Sequence, residues 1–72
     1  MKYEIYRDDI KKIVLKEVEA QDCEEAVSKY VSALMVAGIV AMGKDVAKSV
    51  SENVFRITRA DGRFFNVECR NI

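Results

Sequence analysis

The sequence predicts an α+β two-layer sandwich of the plan β-β-α-β-β. One long helix lies on one face of a four-stranded, mainly antiparallel sheet. Three observations predict it. Residues 2–7 alternate with strand periodicity, and Asp22-Cys23-Glu24-Glu25 opens an apolar series at helical spacing. In addition, two runs of β-formers flank Ala60-Asp61-Gly62 near the C-terminus.

In the first element Tyr3 and Ile5 oppose Lys2, Glu4 and Tyr6, the pattern of a half-buried strand. Asp8-Asp9 supplies turn chemistry, and Ile13-Val14-Leu15 begins a second run that ends near Ala20. Ile13 and Leu15 have one parity, Val18 and Ala20 the other, so the second strand needs a bulge, expected near Lys16-Glu17. Asp22 is placed to cap a helix, and Glu25, three residues on, completes a capping-box spacing. Glu24 and Glu25 complement the positive end of the helix dipole. Ala26/Val27, Tyr30/Val31, Leu34 and Ala37/Gly38 form the apolar stripe, with Ser28, Lys29 and Ser32 on the wet side.

Ala33 to Gly43 carries no charge, so this half of the helix is apolar all round and needs a cover beyond one sheet. Two covers are open: the segment after Gly43 folding back, or a second copy of the chain. Ala33, Ala37 and Ala41 stand four apart, and with Met42 they form the candidate dimer strip. A helix from Cys23 to Met42 would be about 30 Å long, with Gly43 as the expected C-cap and Gly38 as an earlier break. Lys44 to Glu52 reads as a further short helical turn through Val46 and Val50. Asn53 to Arg59 and Arg63 to Arg70 form a hairpin. A two-residue turn would mix apolar and polar side chains on both faces. A three-residue loop with Gly62 left-handed pairs Ile57 with Phe65 and Phe55 with Val67, which puts the apolar partners on one face with Cys69.

Composition bounds what the chain can do. Its 72 residues form one domain, with 12 Lys plus Arg against 12 Asp plus Glu and no histidine. A net charge near zero argues against binding nucleic acid by bulk charge. The longest apolar run is far shorter than the ~20 residues that cross a bilayer. The start lacks the apolar stretch of a signal peptide. With only two cysteines, Cys23 and Cys69, a reducing cytoplasm with free thiols is the expected setting.

No nucleophile–base pair, metal-ligand spacing or cofactor motif is present, so no catalytic residues, metal site or cofactor are expected. The acidic group Glu17, Glu19, Asp22, Glu24 and Glu25 reads as a solvated patch, because a helix N-terminus repels cations. Cys23 in the first helical turn has no neighbouring base in the sequence and reads as a packing residue.

The informative feature is the outward face of the last hairpin. Arg56, Thr58, Phe64, Asn66, Glu68 and Arg70 should point away from the helix, with Arg59 and Arg63 at the tip. Four of the five arginines follow residue 55, whereas every lysine precedes residue 49. Arginine beside an exposed aromatic is the composition of binding hot spots. The candidate partner-binding residues are therefore Arg56, Arg59, Arg63, Phe64 and Arg70. A protein partner leads, single-stranded nucleic acid stacked on Phe64 is the alternative, and a solvated face with Phe64 over arginine stems is the bland reading.

Val18-Glu19-Ala20-Gln21-Asp22-Cys23-Glu24-Glu25-Ala26 leads from strand to helix, and a hairpin then turns on Asp61-Gly62-Arg63 and ends at Cys69. In this order and length the chain resembles a small family of phage anti-CRISPR inhibitors of type I surveillance complexes. The resemblance implies a non-enzymatic inhibitor, acting in the host cytoplasm, that docks on a large nucleoprotein complex through basic and polar side chains. Of the matching positions, it carries over Arg63 beside the turn.

Overall fold

The computed structural model describes residues 1–7, 14–41 and 46–72. In order they form β1 (Lys2–Arg7), β2 (Val14–Glu19), α1 (Cys23–Val36), β3 (Ala47–Ser51), β4 (Val54–Thr58) and β5 (Phe64–Asn71). The class is α+β as expected, but the sheet has five strands, in the order β2-β1-β5-β4-β3, and every neighbouring pair is antiparallel. The extra strand is β3, where a helical turn was expected. Val46 and Val50 do suit a helical period, but Ala47, Lys48 and Ser49 pair with Ile57, Arg56 and Phe55 of β4. Sheet pairing outweighs a short local helical preference, which is weak without a buried face.

The helix begins as its sequence dictates. Asp22 is extended (φ −155°), and its Oδ1 accepts the Glu25 N–H at 2.8 Å. It ends six residues before Met42. Gly38 takes φ +77°, the Gly38 N–H donates to the Met35 carbonyl, and the Ile39 N–H donates to the Leu34 carbonyl. This pair of bonds is a Schellman motif, which satisfies the last carbonyls and turns the chain. The expected C-cap Gly43 lies outside the described residues. The apolar block is then split. Val40 is buried in the core, and the Ile39 carbonyl accepts the Ala60 N–H at 3.0 Å, so this segment runs back onto the β4–β5 loop. Val36 stays 91% exposed. The Ala33/Ala37/Ala41 strip is therefore not one helix face. Ala33 is within α1 and half-buried, Ala37 is its exposed C-cap and Ala41 follows the turn, while Met42 is outside the described residues.

The bulge in β2 is present, but one position earlier than expected. Ile5 pairs with Lys16 and Tyr6 with Val14, so Leu15 is the extra residue, and it packs against the core. A second irregularity leaves Val50 unpaired in β3. Both edge strands are thus interrupted and carry lysine, at Lys16 and Lys48, which discourages edge-to-edge pairing.

The β4–β5 loop is the three-residue form. The Arg59 N–H donates to the Arg63 carbonyl, the Gly62 N–H donates to the Arg59 carbonyl, and Gly62 has φ +87°. Ile57 accordingly faces Phe65, and Phe55 faces Val67. The core sits between α1 and the sheet, and its most buried side chains are Ile5, Ile57, Val27, Val67 and Cys69. α1 packs on β1, β2 and β5, and more lightly on β3.

Candidate functional site

Antiparallel register decides which side chains share a face. Arg56 opposes Asn66, Thr58 opposes Phe64, Tyr6 opposes Glu68, Glu4 opposes Arg70 and Lys48 opposes Arg56. The core residues Ile5, Ile57, Val67 and Cys69 occupy the alternate positions. The first set therefore forms the outer face, away from α1.

At the loop end of this face Phe64 is 59% exposed, and the Arg56 guanidinium lies 4.6 Å from its ring centroid. A ring held under a guanidinium is an amphipathic platform, worth about 0.5–1 kcal/mol as a contact at an exposed site. Beside it the buried Asn66 Oδ1 has no hydrogen-bond partner among the described residues. Arg59 and Arg63 flank the loop. The Arg59 Nε is 3.9 Å from Asp61 Oδ2, and Asp61 Oδ1 accepts the Arg63 N–H at 2.9 Å, so Asp61 organises the tip between the two cations.

Arg70 is not part of this cluster. Six positions along an extended strand place it about 20 Å from Phe64, where its guanidinium lies 5.4 Å from the Tyr6 ring centroid. Of the five expected residues, the fold thus brings Arg56 and Phe64 into contact, sets Arg59 and Arg63 at the adjoining tip, and separates Arg70.

Two participants escape the sequence reading. Lys48 joins the basic end because β3 is a strand. Tyr6 has the parity of Lys2 and Glu4, yet it is only 3% exposed and lies outside the helix-side core. Its hydroxyl donates to Glu68 Oε2 at 2.7 Å. That hydrogen bond, and then burial, raises the Tyr6 phenol above its ordinary value. The parity of Tyr6 was legible, but its burial was not.

The opposite face carries a groove of about 440 Å³ between Val27, Val31 and Met35 of α1 and Ala47 and Phe55 of the sheet, with Glu24 on its rim. Its cause is arithmetic. Five strands span about 19 Å, and one helix about 10 Å wide cannot cover them all.

Among the described residues no group of three or more His, Cys, Asp or Glu could hold a metal ion. No helix there is long and apolar enough to cross a membrane. Comparison with protein-family models, curated proteins and solved structures finds no match.

Proposed function

We infer that the chain is a non-catalytic protein-binding module, of the phage-inhibitor type, that docks through the loop end of its outer sheet face. The observation that carries this reading is the exposed Phe64 ring held under Arg56, among Lys48, Arg59 and Arg63. Arginine and aromatic side chains dominate binding hot spots because they bury large areas with fixed geometry. The cations match the platform to an acidic protein surface.

Nucleic acid fits this face less well. Sheets that read single strands present two or three stacking aromatics, whereas here Tyr6 is covered and, among the described residues, Phe64 is the one exposed aromatic. Glu4 and Glu68 also share that face and repel phosphates.

The resemblance to anti-CRISPR inhibitors names the first target to try, a type I surveillance complex. The test measures binding of the purified complex to the native chain and to Arg56→Ala and Phe64→Ala. The reading expects each substitution to weaken binding roughly 30-fold or more, the scale of a hot-spot residue. A complex bound equally by all three proteins would overturn the choice of face. Binding of single-stranded oligonucleotide with a steep salt dependence, and of no protein, would favour the alternative.

A further inference from the structure

Cys23 and Cys69 are 46 positions apart, and nothing in their spacing marks them as a pair. The fold makes them one. Cys23 is the first residue of α1, directly after its cap, and Cys69 lies in the centre of the sheet on β5, facing the helix. The Cys23 thiol donates to the Cys69 carbonyl oxygen at 3.7 Å, which brings the two cysteines against each other. Both are free. They differ in access, since Cys69 is 1% exposed and Cys23 is half-buried. The ionisable groups around them are Asp22 and the Tyr3 phenol, and no cation is among these neighbours.

The geometry points to a covalent modification site: Cys23 and Cys69 form a dithiol that a small-molecule disulfide of the glutathione type closes into an intramolecular disulfide. This site is independent of the docking face, because Cys69 points towards α1 while Glu68 and Arg70 point away from it.

The chemistry proceeds in two exchanges. The Cys23 thiolate attacks one sulfur of glutathione disulfide, forming a protein–glutathione bond and releasing one glutathione thiolate. The Cys69 thiolate then attacks the Cys23 sulfur, forming the Cys23–Cys69 bond and expelling the second glutathione. The protein loses two protons and two electrons, and the oxidant is reduced to two glutathione molecules. Access sets this order. Burial, and then the neighbouring Cys23 side chain, raise the Cys69 thiol well above its ordinary value, so the second exchange should be the slower and should speed up with pH. Closure requires the sulfurs to reach about 2.05 Å.

The test equilibrates the native chain and the urea-unfolded chain in glutathione redox buffers and reads the loss of two hydrogens by mass spectrometry. A contact already made in the fold should favour closure over the unfolded chain by roughly 10³-fold, the loop-entropy scale for this separation. A ratio below about tenfold would overturn the proposal. In Cys69→Ala the glutathione adduct should accumulate on Cys23, while native Cys23→Ala should stay unmodified. A native Cys69 that reacts as fast without Cys23 would overturn the order of attack. The ratio for the unsubstituted chain stands whether or not either variant folds.

Discussion

Replacing Gly38 with alanine separates two accounts of the apolar block by the sign of one free energy. Gly38 holds φ +77°, and a Cβ added there would meet nothing within 4 Å. The cost is therefore backbone alone, about 1–2 kcal/mol for an L-residue held left-handed. Alanine also narrows the unfolded ensemble, which offsets about 0.4–1 kcal/mol of that cost. The net expectation is a loss of up to about 1.6 kcal/mol. If the helix ran through Gly38 to Met42, the same substitution would instead stabilise by about 0.8–1.0 kcal/mol. A chain of this length holds about 4–11 kcal/mol in total, so the variant still folds. Urea unfolding followed by circular dichroism reads the difference. With a slope near 1 kcal/mol/M, the midpoint should fall, by up to about 1.6 M. A midpoint that rises, with helical signal gained, would refute the Schellman ending and restore the Ala33/Ala37/Ala41 strip.

Three further outcomes follow from burial and titration. Ile57→Ala, at a fully buried site in β4, should cost about 2–5 kcal/mol. Phe64→Ala should cost no more than about 2 kcal/mol, because most of the ring is already in water. Equal losses on denaturant titration would contradict the assignment of faces. Tyr3 and Tyr30 are raised chiefly by burial, and Tyr6 chiefly by its hydrogen bond to Glu68. Their contribution is therefore complete below the unfolded tyrosine value near 10 and is lost as pH climbs through the raised folded values. An absorbance titration should show tyrosinate forming together with the loss of far-ultraviolet dichroism. A tyrosine that ionises near pH 10 in a still-folded chain would contradict its placement.

Local rules with strong signals read correctly. The Asp22 cap depends on one side chain and one amide, and the Asp61-Gly62 loop follows from which register aligns Phe55, Ile57, Phe65 and Val67. Both are determined within a few residues. The end of the helix was harder, because Gly38 is compatible with a helix interior at modest cost as well as with a cap. What decides it is the hydrogen bond from the Ala60 N–H to the Ile39 carbonyl and the burial of Val40, which are long-range facts. The β3 strand was misread for the same reason. Ala47-Lys48-Ser49-Val50 has little preference of its own, and its partner lies in β4.

At the candidate site, the contact between Arg56 and Phe64 follows from the hairpin register and could be anticipated. The separation of Arg70 follows from strand length alone. The placement of Lys48 and the burial of Tyr6 depend on neighbours in other strands. The contact between Cys23 and Cys69 depends on helix packing, which no spacing in the chain encodes.

The most direct test of the account compares partner capture by proteins altered on opposite faces. Phe64→Ala changes the outer platform, and Glu24→Lys changes the exposed rim of the groove on the helix side. The account predicts that the partner held by the native chain is lost with Phe64→Ala and retained with Glu24→Lys, both variants being folded by circular dichroism. Capture that survives Phe64→Ala and disappears with Glu24→Lys would contradict it and move the binding site to the groove.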